Sequence, residues 1–253
     1  MYDFCDITIV IPAYNEAQRI PDTLKSLGEQ IKAGALAPLR VQEVLVVDDG
    51  STDKTVEASL QFVNELPGLL VIKSDCNYGK GHAVHLGLKR ARQPWVLIAD
   101  ADMSTPWPEA VALFKACQNT DLKKTALKTR PSIAIGSRDI TGSRIKVHQS
   151  LLRENLGKSF NLFVRALTGL PFRDTQCGFK LLERKPLIEV IQRLKVNRFA
   201  WDVELLMYAQ RAGIPTVEVP VVWEHKDNSR VRVFRDGITM LFSVIKIRIQ
   251  SLF

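Results

Sequence analysis

VLVVDDGSTD, residues 44–53, is the stretch whose reading decides the fold. Val44–Val47 is an unbroken apolar run, as expected of a strand buried on both faces, and it stops at Asp48-Asp49-Gly50. Ser51 and Asp53 can then cap a helix running to about Leu66. Upstream the pattern repeats: Ile7–Ile11 reads as a strand ended by Pro12, with a helix from about Pro21 to Lys32. Downstream it continues with strands over Leu69–Ile72 and Trp95–Ala99, and helices over Gly81–Ala91 and Pro108–Gln118. Strand–helix repetition at this spacing predicts an α/β fold with a mostly parallel central sheet and right-handed crossovers.

The second half is less regular. Ile133–Ser137 reads as a strand, followed by a basic, irregular run with Arg138, Arg144, Lys146, His148 and Arg153. A helix is expected over Leu151–Leu167, with Leu152, Leu156, Phe160, Phe163 and Leu167 on one face. Asp174–Lys180 is too polar for a buried strand. Helices over Lys185–Leu194 and Asp202–Ala212 lead to a strand over Thr216–Trp223. The tail is apolar apart from Thr239, Ser243, Lys246 and Gln250 at helical spacing, so residues 236–253 are expected to form an amphipathic helix after one domain over 1–235. Within that domain the soft division lies near Arg138, between a donor half (about 1–137) and an acceptor half (about 138–235).

Composition narrows the class. An apolar share of 46% over 253 residues suits a packed soluble core. No stretch reaches the ~20 uninterrupted apolar residues a spanning helix needs, and the N-terminus carries no signal-like pattern, so a cytoplasmic or peripheral protein is expected. Cys5, Cys76, Cys117 and Cys177 are scattered and suggest neither a zinc site nor a disulfide framework. A net charge of +8 favours anionic partners without choosing among nucleotide, lipid surface and nucleic acid.

The conspicuous residues fall where strands stop, the edge at which such sheets bind ligands. They are Pro12–Glu16, Asp48–Ser51, Asn77–Gly81 and Asp100-Ala101-Asp102. Asp100 and Asp102 sit one residue apart, an arrangement that repels unless a cation lies between them or the backbone turns. A hard divalent ion, Mg²⁺ or Mn²⁺, bridging to substrate phosphates would satisfy it; a solvated acidic turn is the plainer reading. Asp48 and Asp49 end a strand where a carboxylate can accept from a base or ribose hydroxyl, and an ordinary strand–turn–helix connection would use the same residues. Gly79-Lys80-Gly81 opens a helix whose N–H groups, with Lys80, could receive phosphate.

Taken together these segments resemble the family-2 inverting glycosyltransferases, which have a single Rossmann-like nucleotide-sugar domain of the GT-A type. The resemblance is carried by IVIPAYNE (Ile9–Glu16), VVDDGSTD (Val46–Asp53), NYGKG (Asn77–Gly81) and DADMSTP (Asp100–Pro106). DTQCGFK (Asp174–Lys180) and FAWDVELL (Phe199–Leu206) make it most similar to the dolichyl- or polyprenyl-phosphate glucosyltransferases, over about Asp6 to Asp236. The resemblance implies that Pro12, Tyr14, Glu16 and Asp48 line the nucleotide pocket and that Asp100 and Asp102 hold metal and diphosphate. It implies that Arg138 and Arg153 lie near the donor diphosphate and the acceptor phosphate, with Gln176 on the acceptor side. Asp202 falls near the position where relatives with hydroxyl acceptors place a catalytic base. Ser104 departs from the mannose-transferring branch, which usually has Gln there.

The expected activity is transfer of a hexose, glucose from UDP-glucose, onto a polyprenyl or dolichyl phosphate, with peripheral contact on the cytoplasmic face of a membrane. An anionic acceptor needs positioning cations more than a strong base, for which Arg138, Arg153, Arg230 and Arg232 are candidates. The alternatives are transfer to a sugar or protein hydroxyl with Asp202 as base, or a non-catalytic nucleotide- or nucleic-acid-binding domain. Against nucleic acid, the basic residues show no aromatic interleaving and no recognition helix.

Overall fold

The strand–helix alternation of the first half is present. In a computed structural model that describes residues 4–119, 129–147, 151–224 and 233–250, the chain begins with β1 (Cys5–Ala13), α1 (Ile20–Lys32), β2 (Leu39–Asp48), α2 (Thr55–Leu60), β3 (Leu69–Lys73), α3 (Lys80–Arg90) and β4 (Trp95–Ile98). These strands pair in parallel in the order β3-β2-β1-β4. The order reverses at β1: the first two crossovers build outward on one side, and β4 returns to the other. The crevice beyond the ends of β1 and β4 is therefore the switch point at which open α/β sheets bind ligands.

α4 (Glu109–Gln118), β5 (Ile133–Ser137), β6 (Arg144–Val147), α5 (Leu151–Thr168), β7 (Lys180–Glu183), α6 (Arg184–Arg193), α7 (Trp201–Arg211), β8 (Thr216–Pro220), β9 (Val222–Glu224) and α8 (Val233–Gln250) follow. β7 enters the sheet between β4 and β5, antiparallel to both, and β8 closes a seven-stranded order β3-β2-β1-β4-β7-β5-β8. Two elements differ from the sequence reading here. The DTQCGFK segment does end in a buried strand, because Lys180 opens β7 with its ammonium group satisfied internally. The single strand expected over Thr216–Trp223 divides after Pro220, and β9 pairs instead with β6 in a separate two-stranded sheet. α2 is also shorter than expected; the chain from Phe62 to Leu66 closes turns onto Ser59, Leu60 and Phe62.

Strand alternation sends side chains to two cores. Ile7, Ile9, Ile11, Val44 and Val46 meet Leu24, Leu113 and Phe114 on one face. Val10, Leu45 and Val47 meet Val84, Leu88 and Val203 on the other. Ile9 and Val10 are both 0% exposed, so burial of each contributes roughly 1.5–3 kcal/mol. These neighbours on opposite faces fix the register of β1, and with it the point at which the chain leaves the sheet. In the β4–β7 pairing Ile98 lies opposite Lys180, which sets the Cys177-Gly178-Phe179 turn beside Ala99-Asp100.

Candidate active site

The loop after β1 is fastened to the loop after β2. Asn15 adopts a left-handed backbone conformation (φ 55°), which asparagine tolerates better than most residues. Its Oδ1 accepts from the N–H groups of Thr52 and Asp53, while its own N–H donates to Ser51 Oγ at 2.8 Å. The Glu16 N–H donates to Thr55 Oγ1 at 2.7 Å. The Glu16 carboxylate is engaged by the Arg19 guanidinium through two 2.6 Å bonds. Asp48 is fully buried at the end of β2; its Oδ2 accepts from the Ser51 N–H, and its buried Oδ1 has no hydrogen-bond partner among the described residues. Buried carboxylate oxygens are rarely left so, and a ligand N–H or hydroxyl donor would satisfy this one.

Asp49 faces the neighbouring loop. Its Oδ1 accepts from the Tyr78 N–H and its Oδ2 from the Gly79 N–H at 2.6 Å, so it anchors the Asn77–Gly81 loop. Burial pushes its pKa up, and those two N–H donors counteract that. From the other side the loop rests on Val196–Arg198: a Cβ on Gly81 would lie 2.1 Å from the Val196 carbonyl oxygen, so only glycine fits. Glu204, fully buried in α7, accepts from the N–H groups of Lys195 and Val196 and holds that support in place.

Lys80, thus fixed at the start of α3, reaches Asp100, with Nζ 2.5 Å from Oδ1. Burial would raise the Asp100 pKa, but the ammonium group of Lys80, with Lys180 and Arg138 beyond, brings it below the ordinary value. Gly178 abuts this carboxylate closely enough that a Cβ there would lie 2.2 Å from Oδ2. Ala101 faces the core, and its carbonyl oxygen accepts from Thr23 Oγ1 at 2.6 Å, so it steadies the segment without presenting a side chain to the crevice. Asp102 Oδ1 accepts from the Ser104 N–H at 2.9 Å, closing a turn over Met103 (φ 53°).

After β5, Arg138 and Asp174 form a fork, Nε to Oδ2 at 2.7 Å and Nη2 to Oδ1 at 2.9 Å, and the guanidinium also lies 5.4 Å from the centre of the Trp223 ring. Burial opposes the Arg138 charge, yet the Asp174 carboxylate more than offsets it and raises the pKa. Gln176 donates from Nε2 to Asp202 Oδ1 at 2.8 Å, which joins the DTQCGFK and FAWDVELL segments directly. Asp202 Oδ2 lies 3.9 Å from Nζ of Lys180, which is itself fully buried and donates to the Cys177 carbonyl. Burial pushes the Asp202 carboxyl up to about 6, with Lys180 acting against it.

The crevice edge thus gathers Pro12, Tyr14, Asp48, Lys80, Asp100 and Asp102 from four separate strand ends. Arg230 and Arg232 lie outside the described residues, as does the side chain of Arg153. Asp174, Gly178 and Lys180 were missed as site-building residues. In the sequence they stand inside Asp174–Lys180, a segment too polar to read as a buried strand.

The family model "Glycosyl transferase family 2" matches residues 8–113. A Drosophila melanogaster protein named dolichyl-phosphate beta-glucosyltransferase is 36% identical, the match covering 93% of this chain and 72% of that protein. Proteins of the same name from Dictyostelium discoideum and Homo sapiens are 32% and 33% identical, each match covering 97% of this chain and 75% and 76% of theirs. Among solved structures, mannosyl-3-phosphoglycerate synthase from Rubrobacter xylanophilus matches with a TM-score of 0.65 at 18% identity, over 98% of this chain and 74% of that one. Glucosyl-3-phosphoglycerate synthase from Mycobacterium tuberculosis, crystallised with Mn²⁺, UDP and glucosyl-3-phosphoglycerate, matches with a TM-score of 0.63 at 18% identity, over 98% of this chain and 80% of that one. At that identity the structural likeness establishes the fold alone.

Proposed function

This chain belongs to glycosyl transferase family 2, and from that premise we propose that it moves glucose from UDP-glucose onto dolichyl phosphate with the help of a divalent cation. The observation that carries the reading is the set of anion- and cation-binding groups at the β1/β4 switch: Lys80 beside Asp100, Asp102 two residues on, and the unsatisfied Oδ1 of Asp48 nearby in the sheet order. Asp48 would accept from the uracil or ribose, with Pro12, Tyr14 and the Glu16 loop forming the rest of the nucleotide wall.

Asp100 and Asp102 offer hard carboxylate oxygens, and no group of three or more His, Cys, Asp or Glu that could hold a metal occurs among the described residues. That donor set suits Mg²⁺ or Mn²⁺, ions that keep waters and take substrate phosphate oxygens as further ligands. When bound, the ion would neutralise charge on the departing diphosphate. Lys80 and Arg138 would add positive charge there. The acceptor phosphate oxygen attacks the anomeric carbon, the bond to UDP breaks on the opposite face, and the configuration inverts. The acceptor is already anionic, so no proton need be removed.

The acceptor side would then lie over about residues 138–235, with Arg138, Arg153, Arg230 and Arg232 as phosphate-positioning cations and Gln176 as a neighbouring donor. Among the described residues no helix is long and apolar enough to cross a membrane. α8 exposes Phe242 (67%) and Ile249 (53%) on the same face as exposed Lys246, while Val244 and Ile247 are buried. We assign that face to peripheral contact with an anionic bilayer at the cytoplasmic face, where a lipid acceptor is met.

One observation favours a second reading. Asp202, with its pKa near 6, is poised as a general base for a hydroxyl acceptor. The test is UDP release from UDP-glucose by chelator-treated protein, with and without Mn²⁺, in the presence of either a short polyprenyl phosphate or simple sugars. Release that needs both metal and lipid phosphate supports the first reading; release driven by sugars supports the second.

A further inference from the structure

The proposed function gives Asp100 to a divalent cation, yet a cation is already on it: Lys80 Nζ lies 2.5 Å from Oδ1. This pair is built into the fold. Asp49 ties down the N–H groups of Tyr78 and Gly79 from one side. From the other side, Val196–Arg198 leave no room for a Cβ on Gly79 or Gly81, and the His82 N–H donates to the Asn197 carbonyl. The backbone that carries Lys80 is therefore fixed, while its four-carbon side chain, about a quarter exposed, remains free to swing. Nothing in its own helix favours the ammonium group there, since a helix N-terminus repels a cation, so Asp100 foremost, with Asp102 and Asp202 beyond it, holds it. A divalent ion on the same carboxylate would meet the full repulsion of that ammonium group unless Lys80 first found another anion. The anion that arrives at this edge is the diphosphate of the donor.

We infer that Lys80 is a resident counter-ion of Asp100 that yields to the divalent cation only when a nucleoside diphosphate draws its ammonium group away, making metal binding conditional on the donor. The inference rests on the metal reading given above and adds a positioning residue to it. Coupling of this kind is reciprocal: the diphosphate tightens the metal by the factor by which the metal tightens the diphosphate.

The test is calorimetric or paramagnetic-resonance titration of the folded protein with Mn²⁺, alone and with saturating UDP. Wild type, Lys80→Met, Lys80→Arg and Asp102→Asn are compared, each first shown to melt like wild type. Without UDP, Lys80→Met is expected to bind Mn²⁺ about 10-fold more tightly than wild type, within the usual range of coupling between sites. Lys80→Arg, which keeps the charge, should stay weak. The enhancement of Mn²⁺ binding by UDP should be large in wild type and much smaller in Lys80→Met. Structural damage does not produce a gain in affinity, so a gain identifies the mechanism. Unchanged or weaker Mn²⁺ binding by Lys80→Met without UDP overturns the inference. If, with UDP present, Asp102→Asn binds Mn²⁺ as wild type does, or wild type binds none, the metal reading itself fails and takes the inference with it.

Discussion

Replacing Gly178 with alanine puts a methyl group where Asp100 already is. The added Cβ would lie 2.2 Å from Oδ2, 2.3 Å from Cγ and 2.4 Å from Oδ1. Non-bonded heavy atoms settle at about 3.5 Å or beyond, so something must move by about 1 Å. The turn that carries Gly178 resists, because Lys180 donates to the Cys177 carbonyl and the Gly136 N–H donates to the Phe179 carbonyl at 2.9 Å. The carboxylate is the softer side, and it is the group assigned to metal and diphosphate. A displacement of about 1 Å in a catalytic constellation costs on the order of 10²-fold in rate. The overpacking itself costs about 1–3 kcal/mol, which leaves a folded protein for the assay. Initial rates of UDP release at saturating Mn²⁺, UDP-glucose and polyprenyl phosphate measure the effect, alongside a thermal melt. Gly237→Ala, where among the described residues nothing outside its own stretch of helix lies within 4 Å of the added Cβ, is the control and should keep full turnover. Near-wild-type turnover in Gly178→Ala would refute the placement of Asp100 in the chemistry.

Asp102→Asn keeps shape and removes a hard anionic ligand; turnover should fall on the order of 10²-fold or more, and wild-type rates at saturating Mg²⁺ would remove Asp102 from the metal site. Asp202→Asn should cause a moderate loss if the acceptor is a lipid phosphate, against roughly 10²–10⁴-fold if Asp202 is a general base, with UDP binding checked in both cases. The same variant has a signature in stability. The folded pKa of Asp202 is raised from 3.8 to about 6, so its contribution is fully present below 3.8 and is lost as pH rises through about 6. Denaturation midpoints between pH 4 and 7 should therefore fall less steeply with pH in Asp202→Asn, and an unchanged slope would contradict the buried carboxyl. Finally, the protein should sediment with anionic vesicles and release with salt, and Lys246→Glu with Arg248→Glu should weaken sedimentation; no binding at low salt would return the α8 face to packing.

The sheet was legible wherever one face or both were apolar in sequence. β1, β2 and β4 announce themselves as β-branched runs, and the residues at or near their ends, Pro12, Asp48 and Asp100, mark the binding edge, although β1 runs on through Pro12 to Ala13. β7 was hidden because its first residue is Lys180, whose burial depends on the Cys177 carbonyl, the Trp201 ring and Asp202, none of which a local window can supply. β8 and β9 read as one strand because alternation continues through Pro220, while the change of sheet depends on partners in β5 and β6. In the site, Lys80, Asp100 and Asp102 were visible as strand-end and helix-start chemistry. Their contacts were not: Arg138 meets Asp174 across 36 residues and Gln176 meets Asp202 across 26. Asp49 shows the limit of position along the chain, since it neighbours Asp48 yet faces the Asn77–Gly81 loop.

The most direct test of the account is the product itself. Protein freed of metal by chelation is given Mn²⁺, UDP-glucose and dolichyl phosphate, and the lipid fraction is analysed by mass and by anomeric configuration. The account predicts a dolichyl phosphate heavier by one hexose, with the glucose β-linked, formed together with UDP and absent when Mn²⁺ is withheld. Glucose appearing on a hydroxyl acceptor with the lipid unchanged, or a lipid product formed equally well without metal, would contradict it.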